Sequence, residues 1–102
     1  MKKIKILIAD DHVMIAEMWQ MLLSSNPQYT LLPFVENCSQ LLLAVESEKP
    51  DVVFLDISLA DGSSLDLIPE LRKLSPATRF LVVSSHTNII TCLLYTSDAA
   101  DE

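Results

Sequence analysis

The chain has 102 residues, half of them hydrophobic, and a formal net charge of −7, which bounds it to one small domain with a core and room for a single site. Its basic residues, Lys2, Lys3, Lys5, Lys49, Arg72, Lys73 and Arg79, are scattered and form no stripe, so direct nucleic-acid binding by this segment is not expected and a DNA reader would have to lie elsewhere. No apolar run approaches the roughly 20 residues of a membrane span and the start does not read as a signal peptide, so a cytoplasmic protein with no membrane partner is expected. Two cysteines, Cys38 and Cys92, without CxxC spacing, read as unpaired thiols and argue against both a disulfide framework and a zinc site.

Along the chain the periodicity alternates between strand and helix. Ile4 to Ala9 is an apolar, β-branched run ending in Asp10-Asp11, the pattern of a buried strand. His12 to Ser25 carries Ile15, Trp19, Leu22 and Leu23 at helical spacing and stops at Asn26-Pro27, which predicts a first helix. Thr30 to Val35 reads as an edge strand, because Pro33 lacks the N–H that a central ladder needs. Ser39 to Glu48 places Leu41, Leu42, Ala44 and Val45 on one face and stops before Pro50, a second helix. Asp51 to Leu55 is a third strand, closed by Asp56. A turn at Ala60-Asp61-Gly62 leads into a helix from about Ser64 to Leu74, with Leu67, Ile68, Leu71 and Leu74 inward. Pro69 makes that helix start late or bend. Phe80 to Val83 is a fourth strand ending at Ser84-Ser85. The alternation implies right-handed crossovers and an α/β fold with a parallel sheet, and any ligand belongs at the carboxyl ends of its strands. Asp10, Asp11, Asp56 and Ser84 all fall at such ends.

Clustered carboxylates with nothing basic in sequence beside them need a cation. Hard oxygen ligands of this kind suit Mg²⁺, which takes one or two carboxylates, several waters and a phosphoryl oxygen; phosphate chemistry is therefore expected. The competing reading of Asp10-Asp11 is a strand-end pair capping the first helix. Asp61 and Asp66 read as turn and first-turn residues, His12 and His86 as solvent-facing loop or helix-start residues, and Ser63-Ser64 as a helix cap. Trp19 with Met14, Met18 and Met21 is core or partner-facing helix surface. With one glycine in the chain, no glycine-rich phosphate loop exists.

From residue 2 to about 91 the chain resembles the receiver domain of bacterial two-component response regulators. Ile6-Leu7-Ile8-Ala9-Asp10-Asp11-His12, with Glu17 and Leu22-Leu23 behind it, resembles the opening of regulators that carry a helix-turn-helix output. Asp51-Val52-Val53-Phe54-Leu55-Asp56-Ile57-Ser58-Leu59-Ala60-Asp61-Gly62 resembles the phospho-acceptor segment. The resemblance implies a flavodoxin-like, doubly wound fold, here with about four of its five strands. It implies that Asp56 takes a phosphoryl group from a cognate histidine kinase. Asp11, Asp56 and the backbone carbonyl of Ser58 would ligate Mg²⁺, with Asp10 holding the ion through water and Ser84 as the switch hydroxyl. Such a domain catalyses only its own phosphorylation and dephosphorylation, forms homodimers on phosphorylation in the full-length protein, and reaches DNA through an output domain absent from this chain.

Departures from the pattern matter. Val13 and Ala60 stand where prolines are common, and both are tolerable on loops. A receiver should continue through a fourth helix, a fifth strand ending in a phosphate-contacting lysine, and a fifth helix, yet no lysine follows Lys73. Residues 92–102, Cys92-Leu93-Leu94-Tyr95-Thr96-Ser97-Asp98-Ala99-Ala100-Asp101-Glu102, resemble the in-frame translation of a transposase-based sequencing adapter. The expected organisation is a partial receiver over 1–91 and a non-native tail over 92–102, to be excluded from fold reasoning. The fourth strand is then expected at an exposed sheet edge. Two alternative functions stay open at this point. A pseudo-receiver would use the fold for interaction alone, against which Asp10, Asp11 and Asp56 argue. A haloacid dehalogenase-type phosphatase wants a second Asp two residues beyond its nucleophile, where this chain has Ser58.

Overall fold

A computed structural model describes residues 3–84 and 91–95. In chain order the elements are β1 (Ile4–Ala9), α1 (Val13–Ser24), β2 (Tyr29–Leu31), α2 (Cys38–Glu48), β3 (Val52–Asp56), β4 (Ser58–Leu59), β5 (Gly62–Ser63), a 3-10 turn (Ser64–Leu67), α3 (Ile68–Leu74), β6 (Arg79–Ser84) and β7 (Thr91–Tyr95). The main sheet runs β2-β1-β3-β6-β7. Its first four strands are parallel, so the expected α/β fold with four parallel strands is the one observed.

Alternation along the strands explains why the sheet is covered on both faces. Leu7 and Ala9 of β1, Val53 and Leu55 of β3, and Phe80 and Val82 of β6 point to the face under α2 and α3, where they meet Leu41, Val45, Ile68 and Leu71. Ile6 and Ile8 point the other way and pack with Ala16 of α1, joined by Trp19, Leu23, Val52 and Phe54. Trp19 tilts against Phe54 at a ring-centroid distance of 5.1 Å. The apolar stripe of α1 is narrower than its spacing suggests. Leu22 is exposed, as are Met14, Met18 and Met21, because only one side of this helix meets the sheet.

Local chemistry fixes the ends of the elements. The Asn37 side chain accepts from the Gln40 N–H at 2.8 Å and caps α2. Asp61, from the distant β4–β5 turn, accepts from the Cys38 N–H at 2.7 Å at the same helix end. This contact holds the Asp61 carboxyl below the usual carboxylate range. Burial, followed by the neighbouring Asp61, pushes the unpaired Cys38 thiol up to about 11. At Pro69 the late start wins: the proline sits in the first turn of α3, where its missing N–H costs nothing, and the preceding residues form the 3-10 turn. As expected, β2 is the edge strand, and the chain near Pro33 leaves the ladder except for a bridge between Ala9 and Val35.

Two features differ from expectation. The turn at Ala60-Asp61 is a small antiparallel hairpin, with Ser58 opposite Ser63 and Leu59 opposite Gly62. Gly62 has φ of +146°, a conformation that favours the chain's one glycine. The second difference concerns β6, which is not an edge. β7 lies antiparallel beside it, with Phe80 opposite Tyr95 and Ser84 opposite Thr91. The intervening residues 85–90 are too few for a crossover to a parallel strand, which needs about a dozen or more, so a direct return is the pairing open to this segment. The rest of the 92–102 tail, and His86, lie outside the described residues.

The face under α2 and α3 holds the larger group of buried side chains. Leu7→Ala, at a fully buried position, is expected to lower unfolding free energy by about 2–5 kcal/mol. Met14→Ala, at a position 83% exposed, is expected to change it by less than about 0.5 kcal/mol. Urea denaturation of the two variants measures the contrast.

Candidate functional site

The parallel register brings the acidic residues together. Ala9 lies opposite Leu55 in the β1–β3 pair, so Asp10 and Asp56 leave neighbouring strands at the same level. The Asp10 N–H donates to the Val35 carbonyl at 2.9 Å, which carries β1 one residue past its last ladder pair and holds that end of the strand. Asp10 and Asp56 are 6% and 4% exposed, and Asp11 is partly buried. Donor atoms of Asp10, Asp11, His12 and Asp56 all lie within 4.8 Å of one another.

His12 is the basic group against this cluster. Its backbone N–H donates to Asp10 Oδ1 at 2.9 Å, and its Nδ1 lies 3.1 Å from the same oxygen. Nδ1 is also 3.1 Å from Asp11 Oδ1 and 3.8 Å from Asp56 Oδ2. The hydrogen bond to Asp10 raises the imidazole pKa above its ordinary value against partial desolvation, and the charges of Asp11, Asp10 and Asp56 add to that.

Asp56 is the strained member. Burial pushes its carboxyl up to about 6, the Asp10 and Asp11 carboxylates push in the same direction, and the Ser58 N–H, 3.4 Å from Asp56 Oδ1, pulls back. Asp56 Oδ2 and Asp11 Oδ1 are buried oxygens without a hydrogen bond. Buried carboxylate oxygens are normally paired, so two orphans facing one another's site mark a place for a cation. Three carboxylates converging at this spacing fit a hard dication with oxygen preference.

Most of the residues singled out in the sequence meet here. Asp10, Asp11 and Asp56 form the cluster. Ser58 opens β4, two residues on from Asp56. Ser84 ends β6 one residue beyond Val83, the register partner of Asp56, so its backbone lies at the same end of the sheet. Two participants were missed. His12, read as a solvent-facing helix-start residue, is half exposed yet turned onto the carboxylates; its adjacency to Asp10-Asp11 was the available signal. Ser64, read as a helix cap, makes no cap. It is fully buried, and its hydroxyl donates to the carbonyls of Asp56 and, at 3.1 Å, Ile57. No sequence signal places it there, because the β4–β5 hairpin is what returns it to the acceptor strand.

The response regulator receiver domain family matches residues 6–101 of the chain. Among curated relatives, the nitrate/nitrite response regulator NarL of Escherichia coli is 32% identical over 91 residues, 86% of this chain and 42% of NarL. The DNA-binding transcriptional activator DevR/DosR of Mycobacterium tuberculosis is 27% identical over 85 residues, 83% of this chain and 39% of that protein. The chain thus spans well under half the length of these relatives. A solved response regulator from Burkholderia pseudomallei, with a phosphorylated aspartic acid, calcium ion and citrate, superposes with a TM-score of 0.75 at 26% identity, over 85% of this chain and 50% of that one. With the parallel sheet and the acidic cluster at its carboxyl end, these matches establish that the chain belongs to the response regulator receiver domain family.

Proposed function

We propose that Asp56 is the phospho-acceptor of a two-component relay, taking its phosphoryl group from a cognate histidine kinase with Mg²⁺ held by Asp10, Asp11, Asp56 and the Ser58 carbonyl. The observation that carries this reading is the unpartnered Asp56 Oδ2, buried among the carboxylates of Asp10 and Asp11 at the end of a parallel strand. Such an oxygen is free to form a P–O bond as the donor's P–N bond breaks. Mg²⁺, when bound, offsets the charge between an anionic nucleophile and an anionic phosphoryl group.

The protein's own part is positional. Ser64 fixes the backbone carbonyls of Asp56 and Ile57, so the acceptor side chain leaves the strand in one direction. The Ser58 N–H lies by the other carboxylate oxygen, which leaves Oδ2 as the atom open to reaction. Ser84, at the same sheet end, is the hydroxyl that would bond the new phosphate and repack its surroundings. The output is transcriptional and belongs to sequence beyond this chain, as the DNA-binding relative suggests. The whole protein works in the cytoplasm, dimerises on phosphorylation and touches DNA only through that output. We also infer that residues 92–102 are a non-native adapter translation, so that the phosphate-contacting lysine belongs to the uninterrupted gene. Sequencing the locus from genomic DNA is expected to show a different reading frame after Thr91.

Incubating the chain with a small phosphodonor and Mg²⁺ is expected to add one phosphoryl group by intact mass. The gain should disappear in Asp56→Ala and on chelation. A gain that persists in Asp56→Ala would place the acceptor elsewhere, and its absence from the intact chain would leave a pseudo-receiver.

The acidic cluster also sets a pH dependence in the metal-free chain. The Asp56 carboxyl is held at about 6 when folded, against an ordinary 3.8, so the folded chain binds that proton more tightly than the unfolded one. Its contribution to stability is therefore fully present below about pH 4 and is lost as pH rises through 6. Between pH 4.5 and 7.5 the expected loss from this one group, discounted for screening by solvent, is about 1–2 kcal/mol. Urea unfolding in chelator at pH 4.5 and 7.5 measures it; Asp56→Asn should flatten the slope, and Mg²⁺ should restore stability at the higher pH.

A further inference from the structure

His12 has its imidazole placed by the acidic cluster and not by the helix it precedes. It precedes α1, but its side chain makes no cap hydrogen bond there. Its backbone N–H already closes the turn onto Asp10. The imidazole is half exposed, yet it lies over the carboxylates with Nδ1 at 3.1 Å from Asp10 Oδ1, 3.1 Å from Asp11 Oδ1 and 3.8 Å from Asp56 Oδ2.

Those three distances have a meaning for coordination. Ligand bonds of about 2.0–2.2 Å, the range for imidazole nitrogen and carboxylate oxygen on a first-row dication, limit two donors on one ion to at most about 4.2 Å apart. All three separations fall inside that limit, and the two of 3.1 Å suit neighbouring positions in one coordination sphere. A second observation points to the same ion: Asp56, 4% exposed, aims an unpartnered Oδ2 into the space that Nδ1 faces.

Donor chemistry then discriminates between metals. An all-oxygen set suits Mg²⁺, which keeps most of its waters. An imidazole nitrogen added to carboxylates favours first-row transition ions, with affinity rising along the series from Mn²⁺ through Co²⁺ and Ni²⁺. We propose that His12 Nδ1 is a further ligand to the dication held by Asp10, Asp11 and Asp56, and that it adds affinity for first-row transition dications which it does not add for Mg²⁺. The ligating imidazole is neutral, with its proton on Nε2, and exposure of the ring leaves the ion a path from solvent. This inference rests on the reading that the acidic cluster holds a dication, but not on phosphorylation.

The test is titration of the intact chain, His12→Ala and Asp11→Asn with Co²⁺ and with Mg²⁺, by calorimetry and by the visible absorption of bound Co²⁺. His12→Ala is expected to weaken Co²⁺ binding by on the order of 10- to 100-fold, to alter the Co²⁺ bands, and to change Mg²⁺ affinity less than about threefold. Asp11→Asn should weaken both ions. Unchanged Co²⁺ affinity in His12→Ala, an equal loss of both ions, or thiolate charge-transfer absorption placing Co²⁺ on cysteine would each overturn the role of His12. Mg²⁺ binding that is sensitive to Asp11→Asn would keep the dication reading standing in all three cases. An intact chain that binds neither ion would defeat both.

Discussion

Everything at the working end of this fold depends on like charges held together out of water. Asp10 and Asp56 are nearly buried and Asp11 partly so, and Asp56 is pushed up to about 6 by burial and by its two neighbours. Left to themselves three carboxylates would separate or take up protons. They stay together because their backbones are the continuations of β1 and β3, two central parallel strands whose register is locked by side chains packed on both faces. A slip of one residue would turn Leu7 and Val53 away from the α2–α3 core. The core thus imposes the site, and the site opposes the core by a small amount.

The remaining parts of the site relieve that opposition in stages. His12 Nδ1 approaches all three carboxylates and Ser58 donates toward one oxygen of Asp56. Ser64 acts on the backbone, tying down the carbonyls of Asp56 and Ile57 through a hairpin that Gly62 permits. What these groups leave is specific: Asp56 Oδ2 and Asp11 Oδ1 lie buried without a hydrogen bond, faced by the His12 ring. A pocket with a fully satisfied set of hydrogen bonds would have no affinity to spare for an incoming cation or phosphoryl group.

How much of this was legible in the sequence follows from the range of the interactions involved. Strand and helix periodicity located β1, α1, α2, β3, α3 and β6 to within one or two residues at most ends, and with them the three aspartates, because burial on both faces writes itself as a continuous apolar run. The inward set of α1 was overread at Leu22, since periodicity gives a helix face but not how wide a partner covers it. Ser64 was misread because its role depends on the β4–β5 hairpin, a tertiary return that two-residue strands do not announce. β7 was missed for a different reason: Cys92 to Tyr95, all but the first residue of the strand, was set aside on grounds of origin, and a segment next to an open strand edge pairs with it whatever its source. His12 was visible beside Asp10-Asp11 but was read as a solvent-facing loop or helix-start residue, because nothing local shows that its ring turns onto the carboxylates that β1 and β3 bring together.

Charge gives the last step. With a net charge of −7 and three acidic groups gathered at one sheet end, the field at Asp56 is unfavourable to any anion that arrives alone. An anionic group can approach the cluster only with its charge offset. A cation held among Asp10, Asp11 and Asp56 would supply that offset. The same repulsion that destabilises the empty cluster is then what makes cation binding favourable, so folding energy given up at the ends of β1 and β3 is recovered when the site fills.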